Sequence, residues 1–102
     1  MTRLEQLKKL AQACPDDPLS HYGVGLELVQ LERWGEAAEA FGRALTADPG
    51  YSAAYYHKAR SLIHAGAPAA ARPTLERGVQ VAQAAGDLKT VGEMRELLES
   101  LE

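Results

Sequence analysis

Side chains of like size recur along this chain at a spacing of 34 residues. Pro15 matches Pro49, His21 matches Tyr55, Tyr22 matches Tyr56, Gly25 matches Ala59 and Leu28 matches Leu62. Further on, Ala37 matches Ala71, Phe41 matches Leu75, Ala44 matches Gly78 and Leu45 matches Val79. A fixed period of this length is the signature of a repeat architecture, in which one supersecondary unit is used again and again. Small residues at Gly25/Ala59, Ala37/Ala71 and Ala44/Gly78 let two backbones approach. Bulky ones fill the gaps at the roughly 8–10 Å spacing of packed helices. Composition says which backbone: eighteen Ala and fourteen Leu stand against ten β-branched residues, a mixture that costs little side-chain entropy in a helix. No strand pattern occurs, so the expected unit is a helix hairpin, used twice in an all-α chain.

Punctuation along the chain predicts about six helices. Thr2-Arg3-Leu4-Glu5 is a capping box, with the Thr2 hydroxyl facing the Glu5 amide and the Glu5 side chain reaching back. Leu4, Leu7, Leu10, Ala11 and Cys14 then recur on one face, and Pro15 ends that helix by pushing residue 14 out of the α region. Asp17 is an N-cap and Pro18 suits the first helical position. The second helix is expected from Pro18 to about Leu31, the third from near Gly35 to Asp48, and the fourth from Ser52 to Ala65 with Gly66 as its left-handed cap. The fifth ends at Ala85 before Gly86, and Asp87 caps a last helix over Leu88–Leu101. Pro73 conflicts with a helix beginning at Pro68, since past the first turn it costs about 3 kcal/mol. The expectation is a late start near Ala70, with a kink as the alternative. Every linker is short, so neighbouring helices must be antiparallel.

On these residues the chain resembles the tetratricopeptide repeat, whose pattern is W-x2-L-G-x2-Y, A-x3-F, A and P. The first copy reads His21-x2-Val24-Gly25-x2-Leu28, Ala37-x3-Phe41, Ala44, Pro49, and the second reads Tyr55-x2-Lys58-Ala59-x2-Leu62, Ala71-x3-Leu75, Gly78. The second departs at Lys58, where an apolar residue is usual, and at Gln83, where a proline would end the helix, so that helix is expected to run on for an extra turn. Leu88-x2-Val91-Gly92 begins a partial third copy with the register slipped by one. The resemblance implies an α-α superhelix: a half-repeat helix over 1–14, repeats over 18–51 and 52–85, and a capping helix over 87–102. Repeats of this kind bury their apolar faces only by stacking. The last helix carries Leu88, Val91, Met94, Leu97, Leu98 and Leu101, a band wide enough either to cover the fifth helix or to meet another chain.

Several function classes fall away. No apolar stretch approaches the roughly 18–20 residues of a membrane span, and the charged start Met1-Thr2-Arg3-Leu4-Glu5 has no secretory apolar core behind it. The lone Cys14 can form neither an internal disulfide nor a thiolate metal site, and reads as a small buried hydrophobe. A cytoplasmic protein is expected. A net charge of −3 argues against nucleic acid. His57 and His64 share a helix face, but no acidic residue lies between 50 and 75 to complete a metal site. His21 replaces a bulky packing residue and belongs to the core or its edge. No phosphate loop, dinucleotide fingerprint or nucleophile elbow occurs, so neither an enzyme nor a cofactor is expected.

The resemblance implies that the first helix of each repeat lines a concave groove for a peptide or protein. Carried over by position, the groove residues are Leu19, Tyr22, Leu26, Val29 and Gln30, then Ala53, Tyr56, His57, Arg60, Ile63 and His64. Helical spacing supports a common face for each set, although Leu26, Val29 and Ile63 equally suit burial between helices. Some members of the family grip a C-terminal carboxylate with paired Lys and Asn. Here Tyr22, Leu26 and His57 stand at those positions, so that clamp is not implied. The expected partner is a segment with an apolar anchor for Tyr22, Leu26 and Tyr56 and an acidic group for Arg60. His57 or His64 would assist on protonation below about pH 6.5. The alternatives are a self-associating homodimer, in which the acidic last helix meets the basic residues of segment 51–85, or one piece of a larger repeat assembly.

Overall fold

A computed structural model describes residues 1–101. It contains six helices: α1 (Arg3–Ala13), α2 (Pro18–Gln30), α3 (Trp34–Ala47), α4 (Ser52–His64), α5 (Pro68–Ala84) and α6 (Leu88–Ser100). No strand is present among the described residues. The helices pack in chain order, each on the next, with a further contact between α4 and α6. The body measures 41 × 28 × 18 Å.

The helix ends follow the chemistry of the residues that make them. Thr2 Oγ1 accepts from the Glu5 amide at 3.1 Å, and the Thr2 amide donates to Glu5 Oε1 at 3.2 Å. Asp17 accepts from the Leu19 amide at 3.0 Å, ahead of Pro18, and Asp87 accepts from the Thr90 amide at 3.2 Å. Gly66 and Gly86 take left-handed φ values of 84° and 73° after α4 and α5. The 34-residue correspondence extends to side-chain hydrogen bonds: His21 Nε2 donates to the Pro15 carbonyl and Tyr55 Oη to the Pro49 carbonyl, each at 2.7 Å.

Close approach explains the small residues. A Cβ on Gly25 would lie 2.5 Å from Phe41 Cε1, and one on Gly78 would lie 2.6 Å from both Met94 Sδ and Tyr55 Cβ. Two apolar clusters result. Leu4, Val24, Leu28 and Phe41 centre the first, across α1–α3; Tyr55, Leu75, Val91 and Met94 centre the second, across α4–α6. Lys58 lies where the first copy has Val24, and its Cε and Nζ pass 3.9 and 3.7 Å from the Cβ position of Gly42. Lys58 is half-buried there, as a long stem laid along a helix surface allows.

Three expectations need correction. Helix α5 begins at Pro68, not near Ala70, which leaves Pro73 inside its second turn. Burying Ala71 and Leu75 requires helix on both sides of residue 73, and Ala69 and Pro73 are exposed, so water can reach the carbonyl that loses its donor. Leu10 is 51% exposed and Cys14 is exposed, because α1 packs through Leu4, Leu7 and Ala11 and its far side meets nothing. Leu88 at the start of α6 is 75% exposed, whereas Leu97, Leu98 and Leu101 lie against the second cluster as a cap would. As Gln83 suggested, α5 runs past the position equivalent to the end of α3.

Candidate functional site

Helices α2 and α4 are the first arms of the two hairpins, and an aromatic cluster spans them. Tyr22 on α2 stacks on Tyr51 at 4.8 Å, meets Phe41 edge-on at 5.6 Å and meets His57 on α4 edge-on at 5.7 Å. His57 lies over Phe41 at 5.6 Å and beside Tyr56 at 5.5 Å. The Arg60 guanidinium stands 5.7 Å from the Tyr56 ring centre, a cation–π distance. Tyr56 and Arg60 lie one helical turn apart on α4, close packing at Gly25 sets Phe41 of α3 against α2, and α4 in turn packs on α3.

Of the residues expected to share one face, Tyr22, Tyr56, His57 and Arg60 come together here. Arg60 is exposed and the other three are half-buried. Leu19 and Leu26 are 64% and 38% exposed on the α2 side, and Gln30 is exposed. Ala53 is half-buried. Val29 and Ile63 are half-buried and pack against the two apolar clusters, as Tyr22 and Tyr56 also do. His64 does not join the set: it stacks on Trp34 at 4.1 Å with an interplanar angle of 15°.

Three contributors were not legible as site residues. Tyr51 reads as linker, Phe41 as core, and Glu93 belongs to the last helix. The repeat register contained the signal for Glu93: in the slipped third copy it is the counterpart of Leu26 and Arg60, and Lys89 that of Tyr22 and Tyr56.

Electrostatics at the cluster are mixed. Burial holds the His57 imidazole below its ordinary pKa, and the nearby Arg60 charge pushes the same way, while Glu93 opposes them. His57 is therefore biased toward its neutral form and takes up a proton at lower pH than a free imidazole, which corrects the expectation that it gains charge near pH 6.5. Burial and Tyr51 raise the Tyr22 hydroxyl; burial, Asp48 and Asp17 raise that of Tyr51. Arg60 is then the cation that the cluster presents at neutral pH.

No group of three or more metal-ligating side chains occurs among the described residues. The clefts of about 410 and 460 Å³ lie elsewhere, one between α1 and α3 near His21 and Arg43, the other between the Pro49 turn and α5. Neither cleft is lined by the aromatic cluster. No described helix is long and apolar enough to cross a membrane.

Comparison with known proteins bears on the fold. A family model described as tetratricopeptide repeat matches residues 28–91. The solution structure of a protein from Bordetella parapertussis is 29% identical, with a TM-score of 0.82 over 99% of this chain and 88% of that one. A tetratricopeptide repeat domain protein from Salinibacter ruber is 25% identical, with a TM-score of 0.77 over 86% and 89%. The TPR2B domain of yeast Sti1, solved in a complex with pHsp70, is 20% identical, with a TM-score of 0.89 over 96% and 78%. No curated protein matches the sequence.

Proposed function

The chain belongs to the tetratricopeptide repeat family, and from that premise we propose that it binds a peptide or protein segment across α2 and α4. Proteins of this fold generally mediate protein–protein interaction and are typically not enzymes. The observation that carries the reading is the set of half-buried rings Tyr22, Tyr51, Tyr56 and His57, backed by the buried Phe41 and flanked by the exposed Arg60. Tyr and Arg supply most hot-spot energy in protein interfaces. The exposed Leu19 and Leu26 extend the apolar part of the surface along α2. The matching ligand has an apolar or aromatic side chain for the rings and a carboxylate for Arg60, with Glu93 setting a limit on acidic residues placed further toward α6. The Sti1 complex with pHsp70 is a precedent for a partner on this fold.

Panning a random-peptide library against the chain tests this. Selected peptides are expected to pair an apolar residue with Asp or Glu. Arg60→Ala removes a charge-assisted contact worth about 1.5–3 kcal/mol, a loss of roughly tenfold or more in affinity. Tyr56→Ala is expected to cost at least as much. Unchanged affinity in both variants would overturn the proposal.

A further inference from the structure

The two ends of the molecule are complementary by repeat position. Helix α6 is a first-type helix: Leu88, Val91 and Gly92 are the slipped counterparts of Tyr55, Lys58 and Ala59, and Val91 and Met94 are buried against the preceding helices. Helix α1 is a second-type helix: Leu7 and Leu10 are the counterparts of Phe41 and Ala44, and of Leu75 and Gly78. Among the described residues α6 packs on the second-type helix α5 of the preceding hairpin and α1 on the first-type helix α2 of the following one, but neither is paired within a hairpin of its own.

Within the complete hairpins these positions touch. Phe41 lies on Gly25, and Tyr55 lies on Gly78. At the ends the same positions are bare. A Cβ at Gly92 would meet nothing within 4 Å, and Leu88 is 75% exposed. Leu10 is 51% exposed. Leu7 is only half-buried, its Cδ2 resting by Gly23 just as Phe41 rests by His57. Charge follows the same division: α1 carries Arg3, Lys8 and Lys9 against Glu5, and α6 carries Glu93, Glu96 and Glu99 against Lys89 and Arg95.

We propose that α6 of one copy and α1 of a second copy close into a helix hairpin, seating Leu7 on Gly92 and Leu10 on Leu88, so that copies join head to tail. The acceptor is α1, and the basic segment 51–85 is not required. Arg95 stands where Leu28 and Leu62 stand, which makes the joint weaker than an internal hairpin and its occupancy dependent on concentration. Such a contact is heterologous, and it leaves a free end after every addition.

Sedimentation velocity of the chain from micromolar to millimolar concentration, with Leu10→Arg and Leu88→Arg variants, tests this. Both leucines are exposed, so the monomer fold is kept, and circular dichroism checks that it is. The wild type is expected to grow in mass past the dimer as concentration rises. Each variant alone is expected to be monomeric. An equimolar mixture is expected to form a dimer and stop, because only α6 of the Leu10→Arg chain and α1 of the Leu88→Arg chain remain competent. A wild type that is monomeric throughout, a variant that alone retains the wild-type mass (the mark of a two-fold dimer), or a mixture that stays monomeric overturns the proposal.

Discussion

Glu32 adopts a left-handed backbone, φ 56°, at the end of α2. The turn is the one used after α4 and α5: the Arg33 amide donates to the Leu28 carbonyl as Ala67 does to Leu62 and Asp87 to Ala82. Glycine fills this position in the other two turns, and a residue with a Cβ pays about 1 kcal/mol or more there. Glu32→Gly is therefore expected to stabilise the chain by about 1 kcal/mol, raising the melting temperature by about 4–8 °C. A lower melting temperature would show that Glu32 makes a contact outweighing the strain. His57 yields a second expectation. Burial and Arg60 depress its folded pKa against the pull of Glu93, so the unfolded chain takes up a proton first as pH falls. The stabilisation is fully present above the unfolded value of about 6.5 and is lost as pH drops from there through the folded value. Melting temperature measured between pH 7 and 5 is expected to fall in the wild type and to fall less in His57→Asn; equal slopes would dismiss the assignment. The two residues differ in legibility. Alignment of the repeat puts Glu32 opposite Gly66, so its strain could be read from the sequence. The environment of His57 depends on Phe41, Tyr56 and Glu93 meeting in space, which spacing along the chain does not reveal.

At the scale of the helix, caps and proline positions were legible because they act over three or four residues: Thr2, Asp17, Gly66, Gly86 and Asp87 all perform the expected terminal roles. Helix α5 was misread at its start because a local cost of about 3 kcal/mol at Pro73 was set against too little. Burial of Ala71 and Leu75 at 0% exposure outweighs it, and the Thr74 hydroxyl, donating to the Ala70 carbonyl at 3.0 Å, adds a local bond beside the gap. Helix α1 was misread the other way: periodicity marked Leu10 and Cys14 as facing inward, but a face is buried only where a neighbour exists. Pro73→Ala restores the amide donor for Ala69 on an exposed surface. The gain in helix propensity exceeds the roughly 0.4–1 kcal/mol of unfolded-state entropy that proline removes. A net stabilisation of about 1–2 kcal/mol is expected in guanidinium unfolding; a loss would mean that the proline sets the angle at which α5 packs.

For the whole molecule, what matters is how the two apolar clusters are joined. One belongs to α1–α3 and the other to α4–α6, and between them lie the Tyr22–Tyr51 stack, the Phe41–His57 stack and the Lys58 stem over Gly42. The proposed binding surface is therefore also the seam of the solenoid. In a quasi-one-dimensional protein, stability is a sum of unit and interface contributions, and cooperativity depends on the interfaces. Aromatic pairs are worth about 0.5–1.5 kcal/mol each beyond their buried area, so removing both stacks with Tyr51→Ala and His57→Ala weakens the coupling by about 1–3 kcal/mol. Native-state hydrogen exchange reads this directly. In the wild type, the amides of Leu28 in the first cluster and Leu75 in the second are expected to exchange with one common free energy. In the double variant they are expected to separate, Leu28 becoming less protected, because the first cluster has fewer half-buried side chains packed around it. The same coupling implies that a ligand bridging Tyr22 and Tyr56 tightens the seam and raises protection in both halves together. Amides that still move as one in the double variant would locate the coupling in the rest of the α3–α4 packing, leaving the aromatic surface free to serve recognition alone.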